Sequence, residues 1–352
     1  MAKPFVSVLV DTYNHERFIE QAVVSVLEQD FSKSDREIIV VDDGSTDGTP
    51  EILRKFEPHI RIIRKSNGGQ ASAFNAGIPQ CRGEIVAFLD GDDWWTVNKL
   101  AAVAAALTRE KDVGLVGHGI TEVHLDGHQQ TELLLGAPRL RIKSQESARL
   151  FRLRKSFLGT SRMTCRSSVL ARIGAVPEGL KVEADEYIFT LAAVFSEVLI
   201  LREPLTFYRL HELNFFQVSD GNKDALRRKR KVLGLLAESL NERLQEEGLC
   251  AEAIGTVVEA IETEAAVVRL ATDGGLPWET VITEVRSYRI AYSDATQLQR
   301  IFKAVALLPA CVLPPRLYYR VRRRLADTEI YRAARRKWLP FVQPNHVERY
   351  RN

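Results

Sequence analysis

Apolar and polar residues alternate in blocks along the first third of the chain. Short β-branched runs recur at Phe5–Val10, Glu37–Val41, Ile60–Arg64, Glu84–Leu89 and Val113–Gly117. Each is the length of a buried strand and too short for a helix. Between them lie stretches with three- and four-residue apolar spacing. Phe18, Ala22, Val26 and Gln29 share one face of the first, and Ile52, Leu53 and Phe56 mark the second. Gln70–Ile78 and Asn98–Leu107 supply two more. This alternation predicts an α/β fold: a doubly wound, mostly parallel (mixed) sheet flanked by crossover helices. In such sheets ligands bind at the carboxyl ends of the strands, so the residues following each run are where chemistry is expected.

Later the rhythm changes. Val123–Gly127 reads as a hairpin turning at Asp126-Gly127, and Ser144–Glu212 mixes short helices and strands. From Lys223 onward the pattern is helical, over Asp224–Gly248, Cys250–Thr272, Trp278–Ile290 and Asp294–Leu308. Leu233, Leu236, Leu240 and Leu244 stand at helical spacing and are expected in a core. That helical region is expected to pack on the first domain or to mediate self-association. Ser219–Asn222 reads as a loop. The expected organisation is an α/β domain over 1–220, an α-helical C-terminal region over 221–313, and a basic amphipathic tail over 314–352.

Composition adds a division that the patterning hides. Of 352 residues, 45% are hydrophobic and 27% charged, which fits a globular chain. The net charge of +3 is an average: Pro315–Asn352 holds 11 basic and 3 acidic residues, net +8, against −5 for the rest. Cys81, Cys165, Cys250 and Cys311 are far apart and form no CxxC pair, so neither a zinc site nor a disulfide framework is expected. A reduced, cytoplasmic setting fits, with no signal peptide ahead of the first strand. The longest apolar run, around Ala304–Pro314, is about half a membrane-spanning length and is broken by Pro309. The arginine-rich tail suits peripheral contact with anionic headgroups at the inner face of the membrane. A solvated or docked helix is the plainer reading of it. Nothing else in the chain supports nucleic-acid binding.

Three strand-end stretches carry the chemistry. The second strand runs into Asp42-Asp43-Gly44-Ser45-Thr46-Asp47-Gly48, where Asp47 suits a helix cap and Asp43 a ligand contact. The fourth runs into Asp90-Gly91-Asp92-Asp93-Trp94-Trp95. Three carboxylates packed after an apolar strand repel one another unless a cation sits among them. Such oxygen ligands suit Mg²⁺ or Mn²⁺ with substrate phosphates; the plainer reading is an acidic turn with Asp93 capping the next helix. Trp94 and Trp95 suit either stacking on a sugar or packing beneath that helix. Between these stretches, Asn67-Gly68-Gly69-Gln70 opens a small-residue helix whose N-terminus allows close approach to phosphate. Neither a G-x-x-x-x-G-K-[ST] loop nor a G-x-G-x-x-G fingerprint is present, which excludes P-loop NTPases and dinucleotide enzymes.

In order, V-S-V-L-V-D-T-Y-N, V-V-D-D-G-S-T-D, N-G-G-Q-A-S-A-F-N-A-G-I and G-E-I-V-A-F-L-D-G-D-D-W resemble the family 2 glycosyltransferases over roughly the first 215 residues. The resemblance implies an inverting, nucleotide-sugar-dependent enzyme of the glycosyltransferase-A fold. It implies that Thr12, Tyr13 and Asp43, with Asn67 at the head of the glycine stretch, bind the nucleotide sugar. It makes Asp90 and Asp92 a DxD pair, Asp90 toward the ribose and Asp92 on a divalent metal. Val182-Glu183-Ala184-Asp185-Glu186-Tyr187 looks like the family's Glu-Asp segment, with Asp185 as general base, and Tyr208–Asn214 like its late loop, with His211 on the metal or phosphate. Three positions depart from the pattern: Asp11 stands for the common Pro, Phe74 for a frequent Arg and Ala184 for the usual Glu. By family habit the donor is a UDP-sugar and the acceptor a glycan or lipid-linked saccharide. The alternatives are a non-catalytic nucleotide-sugar-binding scaffold and a metal-dependent nucleotidyltransferase.

Overall fold

The computed structural model describes residues 5–131, 137–211, 223–274, 277–291, 296–315, 317–318 and 320–321. The loop expected at Ser219–Asn222 and the tail beyond Val321 lie outside them. The described residues form two compact units: 5–131, 137–141 and 155–211 in the first, and 142–154 with the described residues from 223 to 321 in the second.

The first unit holds ten strands in one mixed, curled sheet flanked by helices. They are β1 (Val6–Thr12), β2 (Arg36–Asp42), β3 (Arg61–Arg64), β4 (Ile85–Asp90), β5 (Trp94–Trp95), β6 (Val113–His124), β7 (Gln129–Thr131), β8 (Arg139–Leu140), β9 (Thr164–Arg166) and β10 (Glu197–Leu210). The helices along the chain are α1 (Ile19–Leu27), α2 (Thr49–Arg54), α3 (Gln70–Gly77), α4 (Lys99–Arg109), α5 (Gln145–Arg154), α6 (Ser167–Ile173), α7 (Ala184–Phe195), α8 (Lys223–Glu246), α9 (Ala251–Thr272), α10 (Pro277–Ala291), α11 (Gln297–Leu307) and α12 (Pro309–Val312).

The sheet order is β3-β2-β1-β4-β9-β6-β10-β5. The first four strands are parallel, as the strand–helix alternation predicts. Val6, Val8 and Val10 of β1, Ile38 and Val40 of β2, and Ala87 and Leu89 of β4 pack on Ile19, Ala22, Val23 and Val26 of α1 and on Leu100, Val103 and Leu107 of α4. These residues are apolar on the faces the helices cover, which is what holds parallel strands in register. The middle of the sheet then breaks the parallel rule. Short β9 runs antiparallel to both β4 and β6, and β5 antiparallel to β10. The hairpin at Asp126-Gly127 joins β6 to β7, with Gly127 in the left-handed region.

The second unit is helical: α5 and α8–α12. Leu233, Leu236, Leu240 and Leu244 are all buried, as their spacing predicts. Tyr318 and Leu270 form a small second core with Val281 and Leu313. Among the described residues no helix is long and apolar enough to cross a membrane.

Candidate active site

The parallel register brings β1, β2 and β4 to a common edge. Asp11 pairs with Asp90 and Thr12 with Asp42 across neighbouring strands, so the residues following them gather on one rim. At the β2 end Asp43 is buried and fully engaged. Its carboxylate accepts from the Lys65 ammonium at 2.6 Å, from Gly68 N–H at 3.0 Å and from Gly69 N–H at 2.7 Å. Gly69 is left-handed (φ 87°), and a Cβ there would sit 2.6 Å from Lys181 Cα; only glycine makes this turn without strain. Asp43 therefore shapes the glycine loop that opens α3. Thr12 is buried, Tyr13 exposed and Asn67 exposed on the same loop. Asp47 accepts from Thr49 N–H at 3.0 Å just ahead of α2, whose N-cap position is Gly48 and not Asp47.

The β4 end is different. Oxygen atoms of Asp90, Asp92 and Asp93 lie within 4.8 Å of one another. Burial pushes the Asp90 carboxyl well above the usual carboxylate range, and Asp11, Asp92 and Asp93 push it further. Burial does the same to Asp93, with Asp92 adding to it. Asp11, the residue in place of the common Pro, rises to about 8 through burial and the charges of Asp92 and Asp185, and its Oδ1 has no hydrogen-bond partner. Burial also works against the Asp92 charge. There the hydrogen bond with His211 Nε2 (3.0 Å) and the field of His15 (Nε2 at 3.8 Å) outweigh it, and the carboxyl stays below its ordinary range. Crowded carboxylate oxygens of this kind fit a hard divalent cation such as Mg²⁺ or Mn²⁺. Asp93 does not cap α4. Its Oδ1 accepts from Arg209 N–H at 2.9 Å and fastens β10 to the acidic turn. The Arg209 guanidinium lies over the Phe18 and Trp94 rings, and its Nε donates to the Asp92 carbonyl at 2.9 Å. Trp94 stacks on Phe207, whereas Trp95 is buried.

Asp185 sits in the first turn of α7, after Glu183, a non-glycine residue held left-handed (φ 65°). Backbone strain of about 1–2 kcal/mol there is offset by surrounding structure. Asp185 Oδ2 accepts from Thr160 N–H at 3.0 Å and from the Thr160 hydroxyl at 3.2 Å. Gln70 fixes both sides of this contact: its Nε2 donates to Thr160 Oγ1 and its Oε1 accepts from Ala184 N–H, each at 2.9 Å. Burial and the neighbouring Glu186 raise the Asp185 carboxyl. Its charge also acts on Asp11 and Asp90. Ser161 backs the acidic turn. Its hydroxyl accepts from Asp90 N–H at 3.0 Å, and its carbonyl accepts from Lys99 Nζ, Trp95 Nε1 and Thr206 Oγ1. His15, Thr160, Ser161 and Arg209 are additions that the sequence reading missed. Arg209 stands inside the late loop Tyr208–Asn214, with no role foreseen for it, His15 directly follows the first motif, and Thr160-Ser161 lies in a 3₁₀ turn without any pattern.

Comparison with known proteins agrees with this geometry. The sequence profile of Glycosyl transferase family 2 matches residues 7–173. The chain is 32% identical over 219 residues to the uncharacterized glycosyltransferase alr2836 of Nostoc sp., a match covering 59% of this chain and 66% of that protein, just under two thirds. Among solved structures, residues 1–349 of Staphylococcus aureus TarS in complex with UDP-GlcNAc align with a TM-score of 0.56 at 21% identity, over 90% of both chains. The mannosyltransferase PcManGT of Pyrobaculum calidifontis, in complex with GDP-Man and Mn²⁺, aligns with a TM-score of 0.53 at 21% identity, over 96% of this chain and 88% of that one. At that identity the two structures speak to the fold, a glycosyltransferase-A sheet with a helical C-terminal region. With the motif-bearing strand ends assembled on one rim and the profile spanning them, residues 7–173 of this chain match glycosyl transferase family 2.

Proposed function

We propose that the chain is an inverting glycosyltransferase that moves a sugar from a nucleoside-diphosphate sugar, UDP-linked, to a hydroxyl of a glycan or lipid-linked envelope saccharide. The observation that carries this reading is that one turn joins the two groups: Thr160 holds Asp185 while the adjacent Ser161 holds Asp90, whose oxygens cluster with those of Asp92 and Asp93. A single displacement needs a group to take the acceptor's proton and a way to hold the leaving diphosphate. Asp185, oriented by Thr160 and backed by Gln70, takes the proton. Its raised carboxyl is a stronger base than an exposed aspartate once deprotonated. Thr12, Tyr13, Asp43, Asn67 and Asp90 hold the nucleotide sugar, with Asp43 acting through the glycine loop it shapes. Asp92 and His211 hold the divalent metal, which supplies Lewis-acid stabilisation of the leaving group when bound. TarS and PcManGT, solved with UDP-GlcNAc and with GDP-Man and Mn²⁺, support the donor class and the metal.

In this reading residues 1–220 form the catalytic domain, 221–313 the helical region that serves self-association, and 314–352 a tail contacting the cytoplasmic face of the membrane. The test is a nucleotide-sugar panel with Mn²⁺ or Mg²⁺, read as donor hydrolysis and as transfer to saccharide acceptors. Asp185→Asn should lower transfer by about 10²–10⁴-fold while leaving donor-dependent thermal stabilisation intact. Unchanged turnover in that variant would remove Asp185 from the mechanism.

A further inference from the structure

In the helical unit, two helices treat their apolar residues oppositely. The α8 leucines Leu233, Leu236, Leu240 and Leu244 are all buried. On α11 and just past its end, Leu298, Ile301, Val305 and Leu308 are each more than half exposed. At about 100° per residue these four fall within an arc of about 80°, a single apolar stripe. Leu307, off that stripe, is buried. Val312 of α12, 82% exposed, follows. Monomeric proteins rarely leave such a contiguous face in water without a use for it.

Charge identifies what covers the stripe. From Ala295 to Ala326 the chain holds seven basic residues, Arg300, Lys303, Arg316, Arg320, Arg322, Arg323 and Arg324, and no acidic one. Tyr318, buried with Leu270, ties the segment after α12 to the helical unit, while Leu317 and Arg320 next to it stay exposed. Two copies meeting through the stripe would press two acid-free cationic segments together. An anionic lipid surface complements both the apolar stripe and the charge.

We propose that α11 is an in-plane membrane-docking helix whose Leu298–Ile301–Val305–Leu308 stripe enters the acyl boundary of an anionic leaflet while flanking arginines hold the headgroups. This adds an insertion element to the peripheral tail contact proposed above and rests on that reading for its electrostatic half alone. The experiment is co-sedimentation of the full chain with phosphatidylglycerol-containing and with pure phosphatidylcholine vesicles. Its variants are a quadruple Leu298→Ser, Ile301→Ser, Val305→Ser, Leu308→Ser chain, a milder Ile301→Ser, Val305→Ser chain, and Arg316→Gln with Arg320→Gln. Far-ultraviolet circular dichroism and light scattering accompany each.

Wild type should bind the anionic vesicles and not the neutral ones. The serine variants should lose binding at least tenfold with helicity and oligomeric state unchanged, and the glutamine pair should lose less. Vesicle binding unaltered by the serine changes, or no binding by wild type, would overturn the proposal. So would serine variants that only split an oligomer, since the stripe would then be an interface between copies. Donor hydrolysis is scored separately. A chain that docks through α11 yet hydrolyses no nucleotide sugar leaves this proposal standing and breaks the enzymatic one, and the converse result does the reverse.

Discussion

Two strands on either side of β1 end in similar-looking acidic sequences, Asp42-Asp43-Gly44 at β2 and Asp90-Gly91-Asp92-Asp93 at β4, and the fold uses them in opposite ways. At the β2 end every carboxylate is compensated. Asp42 accepts from Ser45 N–H and pairs with Arg64, and Asp43 collects Lys65 and two backbone N–H groups. At the β4 end Asp90 has the Ser161 hydroxyl, Asp92 has His211, and one oxygen each of Asp93 and Asp11 has no partner. Charge left uncompensated in a low-dielectric rim costs stability unless a ligand cation arrives. The β2 end is therefore architecture, and the β4 end holds negative charge in reserve. What separates them is the supply of donors: β3 and its following loop bring Arg64, Lys65 and two glycine amides to one end, whereas among the described residues Ser161, His15, His211 and Arg209 leave one oxygen each of Asp93 and Asp11 without a partner at the other.

The largest effect that tests this contrast is on activity. Asp92→Asn should lower metal-dependent transfer by about 10²–10³-fold, the size expected when a pre-organised electrostatic contact is lost. Its melting temperature should fall only slightly, because the amide weakens the contacts with His211 and His15 that favour the Asp92 charge while it relieves the crowding with Asp90 and Asp93. Steady-state assays with Mn²⁺ beside thermal melts check both halves. A variant that instead melts early and transfers normally would make the β4 end architectural too.

Much of this was legible in advance. The four parallel strands follow from β-branched runs, and the motif order placed Asp43, Asp90, Asp92 and Asp185 before any coordinates. The contrast itself was not legible, because it depends on groups remote in sequence. Asp93 is tied to Arg209, and Asp185 to Thr160 and Gln70; no local pattern encodes those contacts. Strands β5, β8 and β9 escape notice because two- or three-residue strands carry no periodicity and are fixed by their neighbours. Helix α5 groups with the helical unit, although it lies among residues of the first. Asp11 was visible only as a departure from the expected Pro, with its unpartnered oxygen apparent once β1 and β4 are paired.

A smaller effect should appear at the β2 end, on stability. Asp43→Ala removes the acceptor for Lys65, Gly68 and Gly69 and leaves these half-buried donors without it. A loss of about 2–4 kcal/mol follows, seen as a fall in melting temperature on the order of 5–10 °C. Donor affinity should fall with it as the glycine loop loosens. Unchanged stability would mean that the loop is held by its glycines and by Lys181 rather than by the carboxylate.

The smallest effect has the opposite sign. Asp11 titrates near 3.8 in an unfolded chain and at about 8 in the fold, so the folded state holds its proton more tightly. Its contribution to stability is complete below pH 4 and declines as pH rises, reaching its minimum above pH 8. Asp11→Asn removes that titration and keeps the side chain's size. The variant should melt with wild type near pH 4 and above it by a few degrees, on the order of 3 °C, at pH 8. The same substitution at Asp43 weakens the contacts with Lys65, Gly68 and Gly69 and should destabilise at both pH values. Melting curves of the two variants at pH 5, 6.5 and 8 thus set the strand ends against each other directly. If Asp11→Asn tracks wild type throughout, the Asp11 charge already has compensation in solution, and the distinction between the two ends reduces to Asp90, Asp92 and Asp93 alone.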